Sequence, residues 1–162
     1  SGKLRELPLG RNLVGVTPEG TLIAAKADDG SRIEIRERLT GKIRTTLAAR
    51  TRLREVLSFG DNAAFSDDGK LFAAEDRESV RIWDLSSGQP PLVIPETGRL
   101  RFSPDGALLA ICGSSWLRLW DTRTGKLRQT IEDGVRSFAF RPDGKLLVTA
   151  YEARRVGVWQ AR

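Results

Sequence analysis

Short runs in which apolar and polar residues alternate, divided by clusters rich in Asp, Gly, Pro and Ser, cover most of this chain. Alternation with a period of two predicts strands with one face turned to a core. A turn tetrad recurs as Thr17-Pro18-Glu19-Gly20, Ser66-Asp67-Asp68-Gly69, Ser103-Pro104-Asp105-Gly106 and Arg141-Pro142-Asp143-Gly144. Pro presets the second turn position, Asp bonds its own backbone and Gly takes a positive φ. One alternating run precedes each tetrad, such as Phe138-Ala139-Phe140, and another follows, such as Leu146-Leu147-Val148. Each tetrad therefore predicts a β-hairpin.

A second marker follows each turn glycine by 14 to 16 residues: Ile33-Glu34-Ile35-Arg36-Glu37, Val80-Arg81-Ile82-Trp83-Asp84, Leu117-Arg118-Leu119-Trp120-Asp121 and Val156-Gly157-Val158-Trp159-Gln160. Its alternation predicts a third strand. Five residues past the Trp position, Gly41, Gly88 and Gly125 each open a fourth run. The expectation is an all-β chain built from a repeated unit of four short antiparallel strands. Residues 10–47 form the first unit, 48–58 an insertion, 59–94 the second unit, 95–131 the third and 132–162 a fourth with three strands.

The Ser-Pro-Asp-Gly turns, the Trp83-Asp84 and Trp120-Asp121 pairs and Thr124-Gly125-Lys126 resemble the WD-repeat family of β-propellers. The resemblance covers essentially the whole chain, is strongest in the second and third units, and departs from the pattern at Gln160 and Arg36. It implies that the units are propeller blades, that Trp83, Trp120 and Trp159 are structural, and that the chain is a non-catalytic platform for binding. The family's Gly-His pair is absent because the sequence has no histidine. That departure predicts that apolar packing replaces the buried polar network with which such blades are often stiffened.

The tail Trp159-Gln160-Ala161-Arg162 joined to the head Ser1-Gly2-Lys3-Leu4-Arg5-Glu6-Leu7 reads like the interior stretch from Trp120 to Thr130. Residues 1–9 are accordingly expected to supply the outer strand of the fourth unit, with Leu4 and Leu7 beside Val158 and Trp159. Four blades about one axis stand about 90° apart, and eight about 45° apart, closer to the usual blade spacing. The expectation is a homodimer closing one eight-bladed ring by exchange of the N-terminal segment, with four blades taken from a longer ring as the alternative.

Composition narrows the function classes. With 40% hydrophobic and 30% charged residues the chain has a globular balance, and neither an apolar run of spanning length nor a secretion signal is recognisable, so a cytosolic location is expected. The absence of methionine fits a fragment, a processed chain or an engineered one. Cys112, the single cysteine, lies in an apolar run and reads as a small buried hydrophobe. Triads that need histidine are excluded, no metal-ligand spacing is present, and the Asp residues sit where turns favour them. No catalytic residue, cofactor or metal is expected.

Net charge is +6, which favours acidic partners. Nucleic acid is the less favoured one, because no recognition module is present. The first inter-blade link is about ten residues longer than the others and carries Arg50, Arg52 and Arg54 at alternate positions. Arg77, Trp116, Tyr151, Arg154 and Arg155 are expected on the same rim, where an acidic protein or peptide would bind. Arg81, Arg101, Arg118 and Arg128 alternate with apolar residues and read as outward or edge positions. The alternative function is a self-assembling ring with no native ligand.

Overall fold

The computed structural model describes residues 13–48, 62–76, 78–132, 134–151 and 155–161. Strands β1 (Leu13–Val16), β2 (Leu22–Lys26), β3 (Arg32–Glu37) and β4 (Ile43–Ala48) form one antiparallel sheet in sequence order. A second sheet follows in β5 (Ala63–Phe65), β6 (Leu71–Glu75), β7 (Val80–Asp84) and β8 (Leu92–Ile94). The third is β9 (Arg99–Phe102), β10 (Leu108–Cys112), β11 (Leu117–Asp121) and β12 (Leu127–Ile131). Among the described residues the fourth has three strands, β13 (Val135–Phe140), β14 (Leu146–Tyr151) and β15 (Val156–Gln160).

Local chemistry explains these meanders. Within each tetrad the glycine amide donates to the first residue's carbonyl at 2.8–2.9 Å, with glycine φ between 67° and 71°. In the second and third tetrads the serine hydroxyl donates to the Asp carboxylate, at 2.7 Å in Ser66–Asp68 and 2.6 Å in Ser103–Asp105. The Asp of each Trp-Asp pair ties the next turn: Asp84 accepts from the Ser86 amide at 2.8 Å, and Asp121 from the Thr124 amide at 2.7 Å. These bonds hold the Asp84, Asp121, Asp68 and Asp143 carboxyls below the usual range: hydroxyl donors lead at Asp84 (Ser86) and Asp68 (Ser66), and arginine donors at Asp121 (Arg128) and Asp143 (Arg141).

The four sheets stack face to face, so the middle strands of the second and third are buried on both sides. Every residue of β10 is buried: Leu109 and Ile111 pack toward the second sheet, while Leu108, Ala110 and Cys112 pack toward the fourth. Trp83 packs toward the first sheet, Trp120 toward the second and Trp159 toward the third, so the tryptophan of each repeat seals the junction with the preceding blade. The residues one and three positions before that slot seal the following junction. Ile33, Ile35, Val80, Leu117 and Leu119 are fully buried and Ile82 is 3% exposed. Each such side chain contributes about 1.5–3 kcal/mol by leaving water. Ala24, Ala73 and Ala110, all fully buried, allow the sheets this approach.

The turns nest as well. A Cβ on Gly69 would lie 3.5 Å from the Thr17 methyl, one on Gly106 3.7 Å from Ser66, and one on Gly144 3.8 Å from Pro104 and Asp105. Each tetrad thus sits on its predecessor. Among the described residues the corresponding position at Gly20 meets the Arg38 guanidinium, 3.7 Å away, and no preceding turn.

One partly buried acid is set by its own β6–β7 hairpin. Burial opposes the Asp76 charge, but hydrogen bonds from Arg81, the Glu78 amide and the Ser79 hydroxyl together hold its carboxyl below the ordinary 3.8. A native value below the unfolded one adds stability that is fully present above about pH 4 and is lost as pH falls through the native value. Chemical denaturation from pH 7 to pH 2 should therefore show wild-type stability falling below pH 4, and Asp76→Asn should flatten that fall.

Candidate functional site

Antiparallel order places the β2–β3, β6–β7, β10–β11 and β14–β15 connections at the end of each sheet opposite its tetrad. The links between blades run at this same end: the Gly134 amide donates to Ser115 O at 2.9 Å, joining the third-to-fourth link to the β10–β11 loop. Of the residues expected on this rim, Trp116, Tyr151 and Arg155 are described and lie on it. Arg50, Arg52, Arg54, Arg77 and Arg154 lie outside the described residues, as do Leu4 and Leu7.

Trp116 is half-buried. Its ring packs into the cluster between the second and third blades, and Gly113 admits it, since a Cβ there would come within 2.5 Å of the indole. The Arg118 guanidinium lies 4.6 Å from the Trp116 ring centroid. In the next blade a second such pair is built from other positions, with Arg155 just before β15 and 5.1 Å from the centroid of Tyr151 at the end of β14. Two arginine–aromatic pairs therefore stand on neighbouring blades of one rim, with the geometry of cation–π contacts.

Polar contacts tie the blades as well, where apolar packing was expected to replace a buried polar network. Glu96, in the link between β8 and β9, accepts from the Trp120 indole at 3.0 Å and from the Arg118 guanidinium. Asp76 binds Arg81 at 2.8 Å, with both side chains about 13–14% exposed. In the first blade Arg36 takes the tryptophan slot and pairs with Glu34, at 2.5 Å and with the Glu34 side chain 7% exposed. In the fourth the Trp159 indole donates to the buried Thr149 hydroxyl at 2.9 Å. Arg81 and Arg118 are thus not outward positions. They lie two residues before the tryptophan, on its side of the sheet, and face the preceding blade. Gly157 holds that slot in the fourth blade, where a Cβ would lie 2.7 Å from Thr149 Oγ1, Trp159 Nε1 and Tyr151 Oη.

The described face of β15 differs from its counterparts. Val156 and Val158, at the positions buried in the other three blades, are 67% and 63% exposed, and Val148 is 39% exposed where the others have a fully buried alanine. The inner strands face a common cleft of about 450 Å³, lined by Val16, Phe65, Phe102 and Phe140 together with Pro18, Pro104 and Pro142 of the turns. A smaller cavity of about 140 Å³ opens between β9 and β13. Among the described residues no three Cys, Asp or Glu side chains are grouped to hold a metal ion, and no helix is long and apolar enough to cross a membrane.

Four stacked meanders with a shared inner cleft are β-propeller-like blades. Residues 98–121 and 125–160, in the third and fourth blades, match the family model described as WD domain, G-beta repeat. Such repeats are in general non-catalytic scaffolds for protein interaction. No curated protein matches the chain.

Proposed function

We propose that this chain is a non-catalytic interaction scaffold whose rim, at the end opposite the tetrads, binds an acidic protein or peptide. The observation that carries the reading is the pair of arginine–aromatic contacts, Arg118 on Trp116 and Arg155 on Tyr151, on adjacent blades. Aromatic and arginine side chains held on a stiff support lose little freedom on binding, and they dominate interface energetics. The net charge of +6 gives the approach its direction. Arg50, Arg52, Arg54, Arg77 and Arg154 belong to the same proposed surface.

The test uses a glutamate-rich peptide with a fluorescent label. Arg155→Glu is expected to weaken its binding about tenfold, the effect of replacing an attractive charge contact by a repulsive one. Because Arg155 is exposed, the thermal midpoint should stay within about 2 °C. Binding that survives both this change and Trp116→Ala would remove the rim from the proposal.

A second reading rests on Val148, Val156 and Val158. We propose that this apolar face receives another blade and that two copies close a ring of eight, with residues 1–9 as the outer strand beside β15. Because Val148 stands where the internal junctions have alanine, this junction has its own geometry. Light scattering decides the matter: a mass near twice 17.9 kDa supports the ring, and a mass of one chain overturns it.

A further inference from the structure

We infer that the cavity between β9 and β13 is a carboxylate-binding slot, in which Arg99 and Arg101 hold an acidic side chain of an extended peptide. The inference rests on the reading of the chain as a scaffold for acidic partners, and it places the recognised charge. The slot is lined by Arg99, Leu100, Arg101, Ser137 and Phe138, and its volume of about 140 Å³ admits a carboxylate with its last methylenes and excludes a larger ring system.

Strand alternation puts the two arginines on one side of β9. Leu100 and Phe102 turn toward the second blade and are buried, so Arg99 and Arg101 turn the other way, toward β13. Arg99 is held in place without being neutralised. Its Nη2 donates to the Arg136 carbonyl at 2.7 Å and to Cys112 Sγ at 3.3 Å, and its guanidinium lies 5.9 Å from the Phe138 ring centroid. A carbonyl, a thiol and a ring face fix its position and leave its full charge.

Arg101 is exposed. Among the described residues neither Arg99 nor Arg101 has a carboxylate within ion-pair distance, whereas Arg32, Arg36, Arg81, Arg118, Arg128 and Arg141 each have one. Two guanidinium groups on one face of a strand, neither of them paired with a described carboxylate, offer an incoming carboxylate charge-assisted hydrogen bonds. Leu100 and Arg101 also line the larger inner cleft, so the slot opens into a trough walled by Phe140, Pro104 and Pro142. The preferred ligand therefore has an acidic residue next to apolar or proline residues.

The experiment is fluorescence anisotropy of fluorescein-labelled hexaglutamate with the full chain, compared with hexaglutamine. Hexaglutamate is expected to bind and hexaglutamine not. Arg101→Gln, at an exposed position that folding does not need, should weaken hexaglutamate about tenfold or more. Arg123→Gln, in the exposed β11–β12 turn at the tetrad end, should change it less than about twofold.

Equal losses in the two variants would mean attraction by net charge alone and would overturn the slot. Binding that survives Arg101→Gln but fails with Arg155→Glu would overturn the slot and leave the rim. The reverse pattern would leave the slot and remove the rim. Inorganic phosphate displacing hexaglutamate at lower concentration than glutarate would overturn the carboxylate assignment.

Discussion

Replacing Phe72 with alanine is expected to cost the fold about 3–5 kcal/mol. Phe72 has no exposed surface. Its ring centroid lies 4.7 Å from that of Phe65 and 5.9 Å from that of Trp83, the latter inclined by 29°. The three rings fill the junction between the first two blades, beneath Gly15, where a Cβ would touch Phe65 at 3.7 Å and Phe72 at 3.8 Å. Removing the middle ring leaves a cavity that neither neighbour can close, because Trp83 is anchored on β7 and Phe65 on β5. Such a loss is a large share of the roughly 5–15 kcal/mol that stabilises an ordinary domain. Urea denaturation should show a lower midpoint and, if the first blade detaches alone, a second transition. A loss below about 1 kcal/mol would mean that this junction is not part of the stabilising core.

The second large effect is expected at Gly98, just before β9. Its φ is 154°, and a Cβ there would sit 2.5 Å from the Cys112 carbonyl oxygen and 2.8 Å from its carbon. Those are backbone atoms of the neighbouring strand, so no rotamer relieves the overlap. The link cannot swing away either, because Glu96 is tied to Trp120 and Arg118. Gly98→Ala should cost about 3 kcal/mol or more. Gly88→Ala is the control: its φ of 64° is also left-handed, but among the described residues nothing lies within 4 Å of the added methyl. It should cost only the backbone preference, about 1 kcal/mol. Equal losses at the two sites would reject the clash.

The hairpins and third strands are legible in the residues because their causes are local. An Asp that bonds an amide two residues on, and a glycine at φ near 70°, act the same way in any surroundings. The predicted runs Val80–Asp84, Leu117–Asp121 and Val156–Gln160 are therefore the strands β7, β11 and β15.

The candidate site is less legible. Trp116, Tyr151 and Arg155 can be placed on the rim from the repeat phase, but the stacking of Arg118 on Trp116 cannot, nor can the Glu96 bond to an indole 24 residues away. Arg81 and Arg118 follow an alternation that looks outward in a single sheet; a sheet with a blade on each side has no outward face. Arg99 and Arg101 show the same limit, since only the approach of β13 makes two ordinary strand arginines into the walls of one cavity.

Repeat period, turn positions, strand alternation and the excess of positive charge belong to the sequence by itself, because each depends on residues within a few positions of one another or on a simple sum. Which face of each blade is covered, that Glu96 reaches Arg118 and Trp120 from the preceding link, and that Val156 and Val158 lie open while their counterparts are sealed were decided by tertiary structure. Those outcomes depend on distances between blades, and a repeat carries no record of its neighbour until the sheets have stacked.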